Sequence, residues 1–571
     1  MMTVMEKWID NLMGKMTLEQ KVGQLMVFGF AGPVITPLVK DFVTKYHVGG
    51  LRVTQKFFPG VSHGDDVSFN KNVIDKPSEL GGINCTANEY AETLNRLRDY
   101  ALDRKDSIGL HFSFDAEGEM GDFFVRQRFF PYAMGVAATK DTSLAYNIAR
   151  SIALQTRALG LNMIHSPVLD VNTNPSNPEI GPRSYSNDPD IVAEFAMAAL
   201  RGFSEEGIIC TGKHFPGRGE SEADAHHSLP TVKVDYETMH KIHLAPYKKL
   251  IDAGLPAIMA AFSHYPALLN TKEVVPAAAS YDIIGKLLRE EMGFKGVVTT
   301  DNMQMRGLLD KYPLEKAAVH CLNAGCDLLL YRGESVEAIK MIESVKEAVR
   351  TKAYPEAKLD ESVRRILAMR WDMGLAENGG KVDASKAGEP FDNPFVKKTA
   401  KDAAERTTVI LRNNDNVLPL VPEKKILFVE QAHHMSVFAN NVYSHPGMIW
   451  EELREHSDNV ALTLIKENYT TQDEEAALKR AASDDIELIV CTNYYNLRQH
   501  NKITDLIYKL EELGKPMVVI SNTPFEKFTV PERFPTVVVN LSPGGRENAK
   551  AIADVLFGKL VPGTQYDVRL K

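Results

Sequence analysis

Short, continuously apolar runs recur along the first 333 residues. They are "VGQLMVFGF" (22–30), "VGGLRVT" (48–54), "GLHFSFDAE" (109–117), "LNMIHSPVLDV" (161–171), "GIICTGKHF" (207–215), "AIMAAFSHY" (257–265), "GVVTTDNM" (296–303) and "CDLLLYRG" (326–333). Runs of this kind belong to strands covered on both faces, whereas a strand with one wet face alternates. Between most of them the apolar positions take a helical period, as in "SLAYNIARSIALQTRALG", "DIVAEFAMAALRGFSEEG", "DYETMHKIHLAPYKKLIDAG" and "YDIIGKLLREEMG". These segments end on Gly160, Gly207, Gly254 and Gly293, and glycine most easily takes the left-handed conformation that closes a helix. Eight strands alternating with helices predict a (β/α)8, TIM-like barrel over residues 1–375. An open doubly wound sheet is the alternative, but no glycine-rich dinucleotide fingerprint follows any run.

Around 374–395 the periodicity stops in a stretch rich in Gly, Asp and Pro, "GLAENGGKVDASKAGEPFDNPF". Residues 376–395 therefore read as a linker. A second α/β pattern follows, with "KILFVEQ", "VALTLIK", "ELIVCTN", "PMVVISN" and "TVVVNLS" separated by helical segments. It predicts a five-stranded, largely parallel sheet with helices on both faces, an α/β/α sandwich over 396–571. It carries no phosphate loop and no catalytic cluster, so its expected role is structural. A chain of 571 residues is too long for one core, which agrees with this division.

Composition narrows the function classes. At 44% hydrophobic and 25% charged the chain is ordinarily globular. The net charge of −9, without a Lys/Arg stripe interleaved with aromatics, argues against a nucleic-acid partner. Five cysteines, Cys85, Cys210, Cys321, Cys326 and Cys491, show no paired spacing and read as reduced, buried thiols. The opening "MMTVMEKWIDNLMGKMTLEQKVGQLM" is interrupted by Glu6, Lys7 and Asp10 and reads as an amphipathic helix rather than a leader. No stretch approaches the ~20 apolar residues of a membrane span. A soluble, cytoplasmic protein without a membrane partner is expected, as a monomer or a homodimer.

Candidate chemistry gathers where the apolar runs end. Asp115 and Glu117 follow the third, Asp170 and Asn172 the fourth, Lys213 and His214 the fifth, His264 the sixth, and Asp301 and Asn302 the seventh. A parallel barrel brings such ends together on one rim, where barrel enzymes carry their active sites. The long stretch after the second run, about 55–82 with Phe57 and Phe58, could reshape the mouth of that rim. The densest segment is "KHFPGRGESEADAHHSLP" (213–230). His214, Asp224, His226 and His227 have metal-ligand atoms, but adjacent histidines point apart in an extended loop and no HExxH or paired Cys is present. Asp224 and His226, two residues apart, fall on the same side of an extended loop. A carboxylate there accepts a hydrogen bond from the imidazole and prepares it for proton transfer near neutrality. A surface Asp–His contact is the alternative.

The 213–230 loop resembles the signature loop of glycoside hydrolase family 3, in its β-N-acetylglucosaminidase branch. "GFKGVVTTDNM" (293–303) resembles the family's nucleophile segment, and "PVLDVNTNPSNPEIGPRSYSNDP" (167–189) and "TVILRNNDNVLPL" (408–420) also match family patterns. The resemblance implies a retaining, exo-acting hydrolase of terminal β-linked N-acetylglucosamine, with Asp301 as nucleophile and His226, paired with Asp224, as acid/base. It further implies that Asp115, Arg183, Lys213 and His214 hold the sugar hydroxyls, that Asp170 is a structural carboxylate, and that no cofactor or metal is needed. Departures occur at Glu119, where the family often has Gly, at Arg218, where it has His, at Ala225, where it has Ser, and at Phe262 and Ser263.

A histidine acid/base differs physically from the usual carboxylate: after donating its proton it is neutral, not an anion. Phosphate is then repelled less, since two like charges at ~4 Å cost about 4 kcal/mol at an effective dielectric of 20. Phosphorolysis stands beside hydrolysis, with phosphate as the additional partner. A β-glucosidase of the same family and a non-catalytic sugar-binding protein are the other readings.

Overall fold

The computed structural model describes residues 2–563, apart from 31, 33, 54–85, 105–107, 118–128, 433–446, 467–468, 495–501, 526–529 and 543. The stretch with Phe57 and Phe58, together with Cys85 and Glu119, lies outside the described residues. All eight apolar runs form strands: β1 (Met26–Phe30), β2 (Gly50–Val53), β3 (His111–Phe114), β4 (Met163–Ile164), β5 (Ile209–Phe215), β6 (Ala257–Ala260), β7 (Val297–Asn302) and β8 (Leu328–Tyr331). Each pairs in parallel with the next, and β8 returns to β1 through Met26↔Leu329 and Val27↔Leu330, so the sheet closes into a barrel. The runs are continuous because helices such as Ala87–Leu102, Thr142–Leu159, Pro189–Glu205 and Glu337–Arg350 cover the outside while side chains fill the inside.

The predicted helix-ending glycines all have positive φ: 84° at Gly160, 74° at Gly207, 89° at Gly254 and 71° at Gly293. At Gly207, Gly254 and Gly293 an added Cβ would meet nothing within 4 Å, so backbone conformation rather than space requires glycine there. Helix starts are fixed by side chains: Thr17 and Thr86 each form a reciprocal capping box, with Gln20 and Glu89.

One polar lock holds the end of the barrel opposite the rim. Asp327, directly before β8 and fully buried, accepts from Arg289 (2.5 Å), Val298 N (2.9 Å), Ser362 (2.8 Å) and Arg365 (3.0 Å). It thus ties β7 and β8 to two outer helices.

The segment read as a linker is ordered. It folds into short turns at Leu375–Asn378, Ala384–Lys386 and Glu389–Asp392. Asn88 and Asn95 of the Ala87–Leu102 helix hold it by hydrogen bonds to Ser385 O, Gly388 N, Val382 O and Val382 N. Turns this short leave no periodicity in a sequence, which is why the stretch looked unstructured.

Beyond it lie β9 (Thr408–Asn413), β10 (Ile426–Ala432), β11 (Val460–Lys466), β12 (Leu488–Thr492), β13 (Met517–Ser521) and β14 (Thr536–Asn540), in the order β11-β10-β12-β13-β14-β9. The predicted five-stranded sheet has a sixth strand. β9 runs antiparallel to β14 at the edge, and its burial falls off after Val409. It leaves the Pro394–Thr407 helix directly and ends in polar residues, so its apolar run is too short to stand out. Arg412 secures it by donating to the carbonyls of Phe534, Val530 and Pro531.

The two halves touch: Tyr132 N donates to Leu541 O (2.7 Å), Met134 enters the core of the second sheet, and Arg406 pairs with Asp141 (2.8 Å). Cys210, Cys321, Cys326 and Cys491 are buried free thiols, and among the described residues no helix is long and apolar enough to cross a membrane.

Replacing Asp327 by Ala strands two arginines at a buried site. The expected cost is about 3 kcal/mol of unfolding free energy, read as a lower urea midpoint, with Asp327→Asn losing less because it still accepts from Val298 N. Equal, sub-kcal losses in both variants would contradict the lock.

Candidate active site

Two charged clusters lie at the rim formed by the ends of β3, β5 and β7. The first is built around Asp115, one residue past β3. It meets the Arg52 guanidinium from β2 and Lys213 Nζ from β5 (3.0 Å). Lys213 also reaches Glu117 (2.6 Å), and Glu117 receives both arms of the Arg183 fork, from Nε at 2.5 Å and Nη2 at 2.9 Å. Lys213 is 2% exposed on its side chain, whereas Asp115 is 18% exposed, so Asp115 is the member that faces the mouth. Burial alone would raise both carboxyls. Lys213 and Arg52 instead hold Asp115 well below its usual range, and Arg183 and Lys213 hold Glu117 at about 2. His165, directly after β4, is lowered to about 3 by burial, so it stays neutral among these charges.

Lys213 is placed by the backbone around it. Leu169 N donates to Lys213 O (2.6 Å) and Lys213 N to Pro167 O (3.2 Å), zipping the segment after β4 onto β5. The Lys213–His214 and Phe215–Pro216 peptides are cis, and the β5–β6 register shifts between Lys213 and Phe215. Asp170 then clamps the loop: it accepts from His214 N (3.1 Å), His214 Nδ1 (2.7 Å) and Arg218 N (2.7 Å). Burial raises Asp170 to about 6 and lowers His214 well below its usual value. At neutral pH this pair is a carboxylate with an uncharged ring donating Nδ1–H.

The second cluster carries the nucleophile and acid/base candidates. His226 Nδ1 lies 2.7 Å from Asp224 Oδ1, and His226 N donates to the same oxygen (2.8 Å). Two residues apart, they meet through a side-chain turn. Glu179 Oε1 stands 3.3 Å from the same Nδ1 and 2.9 Å from Arg218 Nη2. Arg218 Nη1 lies 3.5 Å from Asp301 Oδ2. Burial alone would raise the Glu179 carboxyl, but Arg218 and His226 hold it well below its usual value. Asp301 is oriented by Asn302 N, which donates to Oδ1 (2.7 Å).

Two loops are locked together beneath this cluster. Asn177 donates to Arg218 O (2.8 Å) and Gly219 O (3.0 Å) and accepts from Glu179 N and Ile180 N (2.9 Å each). Gly219 packs so closely that a Cβ would stand 1.7 Å from Val171 O, a contact only glycine permits.

Asp115, Arg183, Lys213 and His214 thus lie at one rim with Asp301, His226 and Asp224. The basic members of the first group are already engaged: the Arg183 fork is spent on Glu117, Lys213 on two carboxylates and His214 Nδ1 on Asp170. His227 is exposed, and His264 joins Val275 by its Nδ1 (3.2 Å to the carbonyl). Sequence reasoning missed Glu179, Arg52 and the Glu117–Arg183 pairing. The one available signal was Arg218, a departure from the resembled pattern. Glu179, Asp224 and His226 also bring ligand atoms within 4.8 Å of one another. Arg218 already places a cation on Glu179 there, so the donor set is poorly suited to a further one.

Residues 17–369 match the glycosyl hydrolase family 3 N-terminal domain and residues 408–569 its C-terminal domain. The chain is 29% identical over 365 residues to beta-hexosaminidase A of Pseudoalteromonas piscicida, covering 60% of this chain and 60% of that protein. It is 26% identical over 355 residues to the beta-N-acetylglucosaminidase/beta-glucosidase of Cellulomonas fimi, covering 60% and 61%. The matched stretch therefore spans about three fifths of these relatives' length. Among solved structures, a family 3 beta-N-acetylglucosaminidase from Paenibacillus sp. str. FPU-7 superposes with a TM-score of 0.80 at 27% identity, covering 97% of this chain and all of that one.

Because Glu117 is held at about 2 against an ordinary 4.5, its pairing stabilises the fold above pH 4.5 and that contribution is lost as pH falls toward 2. Glu117→Gln is expected to lose about 3 kcal/mol at pH 7, with the gap to the parent closing between pH 4.5 and 2 in urea titrations. A gap that does not change with pH would contradict the pairing.

Proposed function

Because the chain belongs to glycosyl hydrolase family 3, we propose that it is an exo-acting, retaining glycosidase that removes terminal β-linked N-acetylglucosamine. The observation that carries this is the second cluster: a strand-end carboxylate, Asp301, and a carboxylate-held imidazole, His226, joined through Arg218 and Glu179. The names of the similar beta-hexosaminidase and beta-N-acetylglucosaminidases support the choice of sugar.

In the first step an Asp301 oxygen attacks the anomeric carbon. The bond from that carbon to the aglycone oxygen breaks, and His226 delivers a proton to the leaving oxygen. With Nδ1 turned to Asp224 (2.7 Å), Nε2 is the nitrogen that exchanges this proton. In the second step neutral His226 takes a proton from water, the water oxygen attacks the anomeric carbon, and the ester bond to Asp301 breaks. Two displacements retain the β configuration. Asp115, kept ionised by Arg52 and Lys213, accepts hydrogen bonds from sugar hydroxyls in the terminal subsite. Arg183, Lys213 and His214 frame that subsite and hold the carboxylates that line it.

We place this chemistry in residues 1–375, with 376–395 joining it to a buttress at 396–571. Buried free thiols suit the reducing cytoplasm. Phosphate as acceptor in place of water is the second reading. It is favoured by a donor that ends the first step uncharged rather than anionic.

Asp301→Asn should lower kcat by roughly 10³-fold or more while the melting temperature stays within a few degrees. Near-parental turnover would remove Asp301 from this role. For the parent, kcat/KM should be higher for an aryl β-N-acetylglucosaminide than for the matching β-glucoside, and a glucoside preference would overturn the sugar assignment. Faster turnover with phosphate, giving a sugar phosphate, would identify a phosphorylase.

A further inference from the structure

A buried arginine with idle donors needs a reason. Arg218 is 1% exposed, and among the described residues its Nε and Nη1 have no hydrogen-bond partner, although Nη1 points to within 3.5 Å of Asp301. Leaving guanidinium donors unmade in a buried place is costly. The guanidinium is nevertheless fixed, by Glu179 on one side and by the backbone grip of Asp170 and Asn177 on the other. Glu179 in turn offers one oxygen, Oε1, to both Arg218 (2.9 Å) and His226 (3.3 Å). The two candidate reacting groups are therefore connected in an unbroken sequence: Asp301, Arg218, Glu179, His226, Asp224.

We propose that Arg218 and Glu179 are positioning residues that couple the charge on Asp301 to the proton on His226. The inference rests on the glycosidase reading above for its catalytic meaning. Before reaction, Arg218 is shared by two carboxylates. As Asp301 becomes an ester its charge disappears, and the whole pull of Arg218 falls on Glu179. His226 then faces less net negative charge at the moment it gives its proton to the leaving oxygen. When water cleaves the ester, the Asp301 charge returns and draws Arg218 back. Glu179 is then released toward the ring as the ring takes its proton. Each displacement is thus matched by the proton transfer that accompanies it.

Among the described residues, charged groups face His226 from three elements. Asp224 and Glu179 face Nδ1; Arg218 and Arg183 stand behind Glu179, and Asp301 lies beyond Arg218. From the turn after β7, Gly307 N donates to Ala225 O, and the neighbouring Arg306 is spent on Asp310 (2.7 Å). His227 beside it is exposed.

The test uses Glu179→Gln, Arg218→Met, their double variant and the charge-keeping Arg218→Lys, in the full chain. Removing a carboxylate from beside the ring should move the basic limb of kcat/KM about one pH unit down. Removing the cation that competes for Glu179 should move it about one unit up, and the double variant should return close to the parent. Arg218→Lys should lower kcat with the limb unmoved. A purely structural pair would cost melting temperature and move neither limb, and that result overturns the proposal. The His226 ring is titrated by NMR in the same variants. Opposite shifts there sustain the coupling even if no glycoside is turned over, so failure of the glycosidase reading and failure of the coupling stay distinct.

Discussion

Charge burial at the barrel mouth is the constraint on which the rest depends. Closing eight parallel strands brings Asp115, Lys213 and Asp301 to one rim with little water around them. A carboxylate or an ammonium in such a place is tolerable only when an opposite charge reaches it with good geometry. The chain meets this by interlocking the groups. Lys213 serves both Asp115 and Glu117, Glu117 takes the whole Arg183 fork, and Arg218 stands between Glu179 and Asp301. Removing one member leaves its neighbours charged and unpaired, so the site is held by the same forces that make it expensive to build.

This arrangement also supplies preorganisation. Groups that stabilise developing charge act best when fixed beforehand and shielded from water. The segments after β4 and β5 are stitched together by Leu169, Asp170, Asn177 and Gly219 rather than left as free loops. Below them the Asp327 lock secures the opposite end of the barrel, and Met134 and Tyr132 fasten the barrel to the second sheet. Rigidity at the rim therefore rests on contacts well away from it.

What could be read from the sequence follows the range of the forces involved. Continuous apolar runs and terminal glycines report local burial and local backbone conformation, so all eight barrel strands and the four glycine turns were legible. Asp224 and His226 were legible for the same reason, since their contact spans two residues. β9 was not, because an edge strand with four of its six residues partly exposed carries too little apolar signal. The ordered turns of 376–395 escaped because they are held by Asn88 and Asn95 from far upstream. The charge pairing was illegible in principle: Arg52 and Asp115 are 63 residues apart, and Arg183 and Glu117 are 66. Glu179 looked like any loop acid until folding set it beside Arg218, whose own place in a loop that resembles a histidine-bearing pattern was the one visible hint.

The most direct test of the central claim is to trap the intermediate. The protein is incubated with a slow 5-fluoro β-N-acetylglucosaminyl fluoride, digested, and mapped by mass spectrometry. The account predicts one sugar ester, on Asp301 in the peptide that spans β7. An adduct on Asp115 or Glu117, or turnover to an inverted product with no adduct, would contradict it.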